Sequence, residues 1–208
     1  MKVLGICCSG RLHANTEILL QEALDSAQQN GAEVELVTLA GKHIIPCDGC
    51  WTCHELDRGC HVKDDIRDIL EKMTEADGII FGTPVYARSV TGQAKILLDR
   101  CTSLRRNGRS LLRGKVGAVV VTAGRVGLGQ AAQVFNGFFG HTMTNAGSAM
   151  GFTSTMGEDK IKHRTPKDII KQDIVAMKEA RDLGRAVVRR IEEQALLRKI
   201  RAGEIKAT

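Results

Sequence analysis

Four cysteines form the densest group of reactive side chains in this 208-residue sequence. They follow the spacing C-x₂-C-x₂-C-x₆-C and are Cys47, Cys50, Cys53 and Cys60. Three cysteines at two-residue gaps can wrap one face of an iron–sulfur cubane, and a fourth nearby can bind the remaining iron. The spacing therefore predicts one [4Fe-4S] cluster with these four thiolates as its ligands.

Three other interpretations of this cysteine loop, residues 47–60, stay open. Structural zinc sites typically use two separated C-x₂₋₄-C pairs, which three cysteines within seven residues do not resemble. A redox-active C-x-x-C pair would use only two of the four thiols. In the third alternative, none of the four thiols binds a metal or a cluster.

The other cysteines and the histidines are not assigned to chemistry. Cys7, Cys8 and Cys101 have apolar neighbours, and we expect them to be small buried side chains. The six histidines are scattered, with no pair at a metal spacing beside a carboxylate. Neither a signal peptide nor an apolar run of about 20 residues is present, so we expect a cytoplasmic protein without a membrane span, whose thiols stay reduced.

Short apolar or alternating runs predict five strands, and helical patterns separate them. The predicted strands are Lys2–Cys8, Glu33–Leu39, Gly78–Gly82, Val116–Val121 and Thr144–Phe152. The predicted helices are one around Leu19–Ala27, Asp64–Ala76 with Asp64 as N-cap, Thr91–Arg100, Leu128–Phe139, and most of the chain from Pro166 onward. This alternation predicts an α/β fold: a doubly wound parallel sheet in a single domain, residues 1–208, with a C-terminal helical extension from about residue 166.

The turn after the first strand has the chemistry of a phosphate site. Ser9, Arg11, Asn15 and Thr16 lie between that strand and the first helix. The N–H groups and dipole at a helix N-terminus favour a phosphate, and Arg11 can add a charge-assisted bond. An ordinary turn capped by Ser and Asn is the alternative. Because the turn has neither G-x-G-x-x-G nor a P-loop pattern, one compact phosphate site favours FMN over FAD.

Two later loops also follow predicted strands, where an open parallel sheet binds its ligands. Backbone N–H groups in these loops can bond the edge of a flat heterocycle, and glycine allows close backbone approach. The candidate residues after the third strand are Pro84, Val85, Tyr86, Ala87 and Ser89. Those after the fourth are Thr122, Ala123, Gly124, Arg125, Gly127 and Gly129.

These three loops resemble those of the NADPH-dependent FMN reductase family of flavodoxin-like proteins. The likeness rests on Ser-x-Arg…Asn-Thr, Pro-Val-Tyr and the glycine-rich loop, and spans about residues 1–150. The sequence departs from the family pattern at Cys8, where glycine is usual, and at Gly10, where proline is usual. The resemblance implies bound FMN and the strand order 2-1-3-4-5.

Together with the cysteine spacing, the chain resembles the iron–sulfur flavoprotein family of methanogens and other anaerobes, whose motif C-x₂-C-x₂-C-x₄₋₇-C it matches. This resemblance implies a [4Fe-4S] cluster and one FMN per chain, in homodimers or homotetramers. It also implies that the cluster accepts electrons from ferredoxin, and that the protein reduces small acceptors such as O₂ or peroxide.

The charge distribution does not favour nucleic acid as a partner. Residues 160–208 hold 14 Lys and Arg against 7 Asp and Glu, whereas the other residues are nearly balanced. Only 3% of the chain is aromatic, too little for a base-stacking platform, and mixed charges are typical of a solvated helix. Electron transfer between FMN and a cluster is the leading hypothesis. A pyridine-nucleotide-dependent FMN or quinone reductase without a cluster, and a non-enzymatic carrier, are the alternatives.

Overall fold

The computed structural model describes residues 1–140, 142–154 and 166–204. The strands are β1 (Lys2–Cys7), β2 (Glu33–Thr38), β3 (Gly78–Pro84), β4 (Arg105–Arg106), β5 (Arg109–Ser110), β6 (Val116–Ala123) and β7 (Thr144–Phe152). The helices are α1 (Asn15–Gln29), α2 (Thr52–Glu55), α3 (Ile66–Glu75), α4 (Gly92–Arg100), α5 (Leu128–Phe139) and α6 (Ile174–Arg201). Short 3₁₀ turns follow α4 at Cys101–Ser103 and precede α6 at Ile169–Gln172.

Five parallel strands form the main sheet in the order β2-β1-β3-β6-β7. Counted along the chain, this is the predicted order 2-1-3-4-5, and the fold class is confirmed. Strand order reverses beside β1, so the loops after β1 and β3 diverge there. Such a switch point is where doubly wound sheets bind ligands.

Each face of the sheet has its own apolar core. On one face, α3, α4 and α5 pack on alternate side chains of the strands, and Phe81 of β3 lies 5.0 Å from Phe135 of α5 between ring centroids. On the other face, α1 and α6 pack around the opposite set of strand residues. Central strands buried on both faces read as continuous apolar runs, which is why they could be predicted.

The C-terminal helix is part of the packed fold. Gly184 of α6 approaches α1 so closely that a Cβ on it would lie 2.1 Å from the carbonyl oxygen of Ala23. Ile170 and Val187 are fully buried on this face, whereas Ile174 is 76% exposed. Most of the apolar residues offered by this segment are therefore buried within the chain.

Some predicted boundaries were wrong. Helix α3 begins at Ile66 with Asp65 at its N-cap position, one residue after the predicted Asp64, whose carboxylate bonds Arg100 and the backbone N–H of Ile45. Pro84, Thr122 and Ala123 belong to strands β3 and β6 rather than to the loops that follow. The β4–β5 hairpin was not predicted, although its Asn107-Gly108 pair is a typical hairpin turn. Among the described helices, none is long and apolar enough to cross a membrane.

Candidate functional site

The carboxyl ends of β1, β3 and β6 enclose a cavity of about 150 Å³, the strand-end cleft. Ten predicted cofactor residues line it together with two that were not predicted. The predicted ones are Ser9, Arg11, Asn15, Thr16, Pro84, Val85, Tyr86, Thr122, Ala123 and Gly124, and the others are Ala14 and Thr153. The structure therefore brings the three separate loops of the sequence together.

The first loop of the cleft ends at a helix N-terminus whose N-cap residue has no capping side chain. Ala14 occupies the N-cap position of α1, where Ser, Asp or Asn would usually bond the first N–H groups, and its side chain makes no such bond. Ser9 Oγ accepts from the backbone N–H of Arg11 at 3.0 Å and so shapes the turn. These features fit an anion at the start of α1, which would take the place of the missing cap.

Hydroxyl groups connect the loops at the buried end of the cleft. The Oγ1 atoms of Thr16 and Thr122 lie 2.6 Å apart, and both residues are almost inaccessible. Thr91, the N-cap of α4, donates its hydroxyl to the carbonyl of Cys8 at 2.8 Å and accepts from the N–H of Ala94. The first bond joins the start of α1 to the end of β6, and the second joins the start of α4 to the end of β1.

The loop after β3 is a tight turn with a strained backbone. Tyr86 and Ser89 exchange two backbone hydrogen bonds, and Ala87 and Arg88 between them have φ values of 47° and 65°. Positive φ at both central residues is typical of a type I′ turn, where glycine or asparagine is usual. Gly127 packs against this turn, since a Cβ on it would lie 2.7 Å from Val85 Cγ1.

Not every predicted cofactor residue lines the cleft. The five outside it are Ala87, Ser89, Arg125, Gly127 and Gly129. Asn15 lines the cleft, but its amide donates to the carbonyl of Pro166 at 2.7 Å and accepts from the N–H of Ile170 at 3.0 Å. Its observed contacts therefore attach the C-terminal segment to α1. Gly124 faces open space, with nothing within 4 Å of where a Cβ would be.

The four clustered cysteines line a second cavity of about 340 Å³, the cysteine cavity. The loop turns tightly around it, with positive φ at Gly49, Trp51 and Asp57. The residues that share the lining with Cys47, Cys50, Cys53 and Cys60 include Asp48, Trp51, His54, His61, Arg100 and Ser103. Burial raises the pKa of Cys53, and the other three thiols raise it further, because like charges would accumulate in one place.

One histidine has a closer relation to the cysteines than the sequence indicated. His61 Nε2 lies 3.3 Å from Asp48 Oδ2, and ligand atoms of Asp48, Cys50 and His61 lie within 4.8 Å of one another. The prediction concerned pairs of histidines, whereas here a single histidine, His61, lies beside a carboxylate and a cysteine. This exposed trio keeps a single-ion site as an alternative to a cluster.

Cys7, Cys8 and Cys101, by contrast, are buried as predicted. Burial raises the pKa of Cys7 to about 11 and that of Cys101 further, so both stay protonated and unreactive.

Two buried nitrogens on the wall of the cysteine cavity test whether a cluster fits it. His54 Nε2 and Arg100 Nε are buried and have no hydrogen-bond partner among residues 1–140, 142–154 and 166–204. Buried polar groups rarely lack a partner, and cluster sulfurs are hydrogen-bond acceptors. Four thiols, an arginine Nε–H and a histidine ring nitrogen, all on residues that line one cavity, fit an iron–sulfur cluster.

Comparison with known proteins decides the family. The family model described as NADPH-dependent FMN reductase matches residues 1–155. The chain belongs to this family. It is an FMN-dependent oxidoreductase, and the predicted resemblance of the chain to this family is confirmed.

Individual relatives extend the comparison. The chain is 42% identical over 191 residues to an iron–sulfur flavoprotein of Methanocaldococcus jannaschii, covering 90% of this chain and 95% of the relative. It is 38% identical over 130 residues to an iron–sulfur flavoprotein of Methanosarcina thermophila, covering 62% and 67%. An archaeal flavodoxin structure has the same fold, with a TM-score of 0.56 at 15% identity over 92% of this chain and 99% of that one.

Sequence reasoning missed the part of the cysteine cavity that comes from the end of α4. Arg100 and Ser103 lie about 40 residues beyond the cysteine loop, and no spacing rule connects the two segments. The available signal was an arginine at the end of an apolar helix pattern. The missing N-cap side chain at Ala14 was a second signal, since it points to a ligand at the start of α1.

Proposed function

We propose that this protein transfers electrons between a [4Fe-4S] cluster on Cys47, Cys50, Cys53 and Cys60 and FMN in the strand-end cleft. The observation that carries the proposal is that all four thiols line one cavity. Helix α4 connects the two sites: its N-cap Thr91 bonds Cys8 beside the cleft, and its last residue, Arg100, lines the cysteine cavity. Nine helical residues span about 13.5 Å.

The residues of the cleft are suited to FMN. The start of α1, with Arg11 and the Ser9 turn, would hold the phosphate. Backbone groups near Tyr86 and Gly124 would contact the ring. When bound, FMN supplies one- and two-electron chemistry and a cluster supplies single electrons, so the protein's part is to position and tune the two cofactors.

An acidic electron donor such as ferredoxin is the proposed partner. A third cavity of about 540 Å³, the basic cavity, shares Cys60 and His61 with the cysteine cavity. Its charged lining is mainly positive: Arg58, Lys63, Arg67 and Arg106 against Glu71. Complementary charge speeds the encounter of two proteins, and here it would orient the donor toward Cys60.

Charge reversal tests this partner. Arg58→Glu with Arg106→Glu should slow reduction by ferredoxin at least tenfold at low salt and leave reduction by dithionite unchanged. Arg189→Glu, on α6 across the sheet, is the matched control and should change neither rate. Equal ferredoxin rates in both variants would contradict the proposed docking face.

The surface around both cofactor sites supports a homodimer or homotetramer. Trp51 and Leu56 of the cysteine loop are 62% and 57% exposed, and Val126 and Phe152 beside the strand-end cleft are 57% and 48% exposed. In a symmetric assembly, the cysteine loop of one subunit would cover the cleft of its neighbour, and the reverse. The edge of the covered strand-end cleft would still leave room for a small acceptor such as O₂ or peroxide. Light scattering of the fully loaded protein should give a dimer or tetramer, and a monomer would refute the assembly.

Cys50→Ser tests the cluster. Because a serine oxygen is a poor ligand for this soft site, the variant should lose most of its iron and sulfide while keeping FMN. Cys101→Ser replaces a buried thiol outside the cavity and is the matched control, which should keep both cofactors. Iron, sulfide and released flavin are measured after anaerobic purification. Equal iron in the two variants would contradict the ligand assignment.

A reductase without a cluster is the second candidate, and the family and one relative favour it. A 99-residue stretch is 37% identical to an NAD(P)H dehydrogenase (quinone) of Acidithiobacillus ferrooxidans. Asp48, Cys50 and His61 would then hold a single ion or none. Rapid turnover with NAD(P)H, with zinc or no metal instead of iron and sulfide, would favour this candidate.

A further inference from the structure

Arg100 is a buried cation on the wall of the cysteine cavity. It is 1% exposed, and its ion pair with Asp64 has no solvent-exposed side-chain surface on either partner. Burying an arginine is costly unless its charge is paired and its donors are used. The contacts of this guanidinium therefore indicate what it does.

Most of its donors hold the ends of the cysteine loop. Nη1 donates at 2.8 Å to the carbonyl of Ile45 and at 2.8 Å to Asp64, and Nη2 donates at 3.1 Å to the second Asp64 oxygen. Val62 offers its carbonyl to Nη2 at 3.5 Å. Ile45 precedes the first cysteine and Val62 follows the last, so a single side chain contacts both ends of the loop. Nε alone has no partner in the part of the chain described.

Cys60 shares the wall of the cysteine cavity with this guanidinium. Two bonds to the Asp64 carboxylate pair its charge, and an arginine side chain stays protonated in proteins. Arg100 therefore places a permanent positive charge on the wall that Cys60 lines.

We propose that Arg100 raises the reduction potential of a cluster on the four cysteines, because it brings a buried positive charge, and an Nε–H without a partner among the described residues, to the wall of the cavity that the cysteines line. The inference rests on the proposed function. A cluster that gains one electron becomes more negative by one charge, and a nearby cation stabilises that reduced form more than the oxidised form. Hydrogen bonds to the sulfurs and net charge are among the factors that set such potentials. Arg100 tunes the site and is not itself a catalytic residue.

Two variants break the same ion pair and are expected to move the potential in opposite directions. Arg100→Gln removes the cation, and the equilibrium constant for reduction should fall at least tenfold, which is about 59 mV for one electron. Asp64→Asn removes the neighbouring anion but keeps the guanidinium, so the potential should rise. Potentials are measured by EPR-monitored redox titration of the reconstituted full chain, and the potential of FMN serves as the internal control, expected to stay constant.

The double variant Asp64→Asn/Arg100→Gln covers the case in which Arg100→Gln alone does not fold, because it leaves no unpaired carboxylate. Relative to Asp64→Asn, the equilibrium constant for reduction of the cluster should again fall at least tenfold in the double variant. Equal potentials in these two proteins, or shifts of the same sign in the single variants, would overturn the inference and leave the proposed function standing. So would loss of the cluster from both Arg100 variants but not from Asp64→Asn, since Arg100 would then only hold the loop. A wild-type chain without iron and sulfide would overturn the proposed function and the inference together.

Discussion

The side-chain oxygens of Thr16 and Thr122 lie 2.6 Å apart at the buried end of the strand-end cleft. One belongs to the first turn of α1 and the other to the end of β6, more than a hundred residues later. Both were predicted to contact the cofactor, and the structure shows that they contact each other. A hydrogen bond within the protein therefore helps to shape the cleft.

Thr122→Val tests this bond. It leaves the Thr16 hydroxyl buried without its partner, so the free energy of unfolding should fall by about 1–3 kcal/mol. Urea unfolding of the flavin-free protein measures the change, since bound FMN would add its own stabilisation.

The double variant Thr16→Val/Thr122→Val is the control. With both hydroxyls removed, no buried hydroxyl lacks a partner. The loss in the free energy of unfolding should therefore be smaller than the sum of the losses in the two single variants, by about 0.5–3 kcal/mol. Strictly additive losses would mean that the two hydroxyls do not stabilise each other.

Arg11→Ala tests where the phosphate of FMN binds. Loss of a charge-assisted bond should weaken FMN binding by about 1–3 kcal/mol, which is roughly 5- to 150-fold in Kd. Riboflavin has the same ring without the phosphate, so its affinity should hardly change. Fluorescence titration of both ligands makes the comparison. An equal loss for FMN and riboflavin would place Arg11 near the ring instead.

The central strands could be predicted because burial on both faces leaves continuous apolar runs, as in Val116–Ala123. Helical spacing predicted the bounds of α5, and those of β7 were also predicted, although two glycines interrupt its pattern. Local rules placed the N-cap of α3 one residue too early, at Asp64, whose carboxylate has a distant partner. The actual partner, Arg100, is 36 residues away and becomes available only when α4 packs beside the cysteine loop. Local rules cannot anticipate a contact that tertiary packing creates.

In the candidate sites too, sequence patterns predict some residues, and tertiary packing decides the position of others. The cysteine spacing predicts which thiols lie together, and all four line one cavity. Residues whose position depends on the direction of the loop backbone were harder to predict from the sequence, and Gly127 is an example. It packs closely against Val85 and does not line the cleft. Asn15, with an amide suited to a ligand, instead bonds Pro166 and Ile170.

Glu35→Gln should give a pH-dependent loss of stability. The Glu35 carboxylate bonds Lys72 and lies 3.0 Å from Lys2 Nζ, and these contacts hold its pKa below the ordinary value. A lowered folded pKa stabilises the native state above the unfolded pKa of about 4.3, and this contribution is lost as the pH falls through the folded value. Wild type should therefore be the more stable protein at pH 7.

Urea unfolding at several pH values follows the difference between wild type and Glu35→Gln. The difference should stay constant above about pH 5, shrink below about pH 4.3 and shrink also in 1 M salt. In a Lys72→Gln background, the same substitution should have a smaller effect at pH 7. A difference that grows in acid would contradict this account of the network.

Gly184→Ala tests whether the close contact between α6 and α1 holds the fold together. The new Cβ would lie 2.1 Å from the carbonyl oxygen of Ala23 and 3.0 Å from the N–H nitrogen of Ala27, both backbone atoms that cannot move aside. The helices must separate, which also strains the bond from Ser26 Oγ to the carbonyl of Arg181. We expect a loss of about 1–3 kcal/mol or more in the free energy of unfolding.

Gly137→Ala is the matched control, because Gly137 lies in α5 with nothing within 4 Å of its Cβ position. There alanine only improves helix propensity and should add about 0.5–1 kcal/mol. Urea unfolding of the two flavin-free variants should therefore give changes of opposite sign. If Gly184→Ala were also neutral or stabilising, α6 would be a loosely attached extension, and the intimate packing of α1 and α6 would not be what stabilises this face of the sheet.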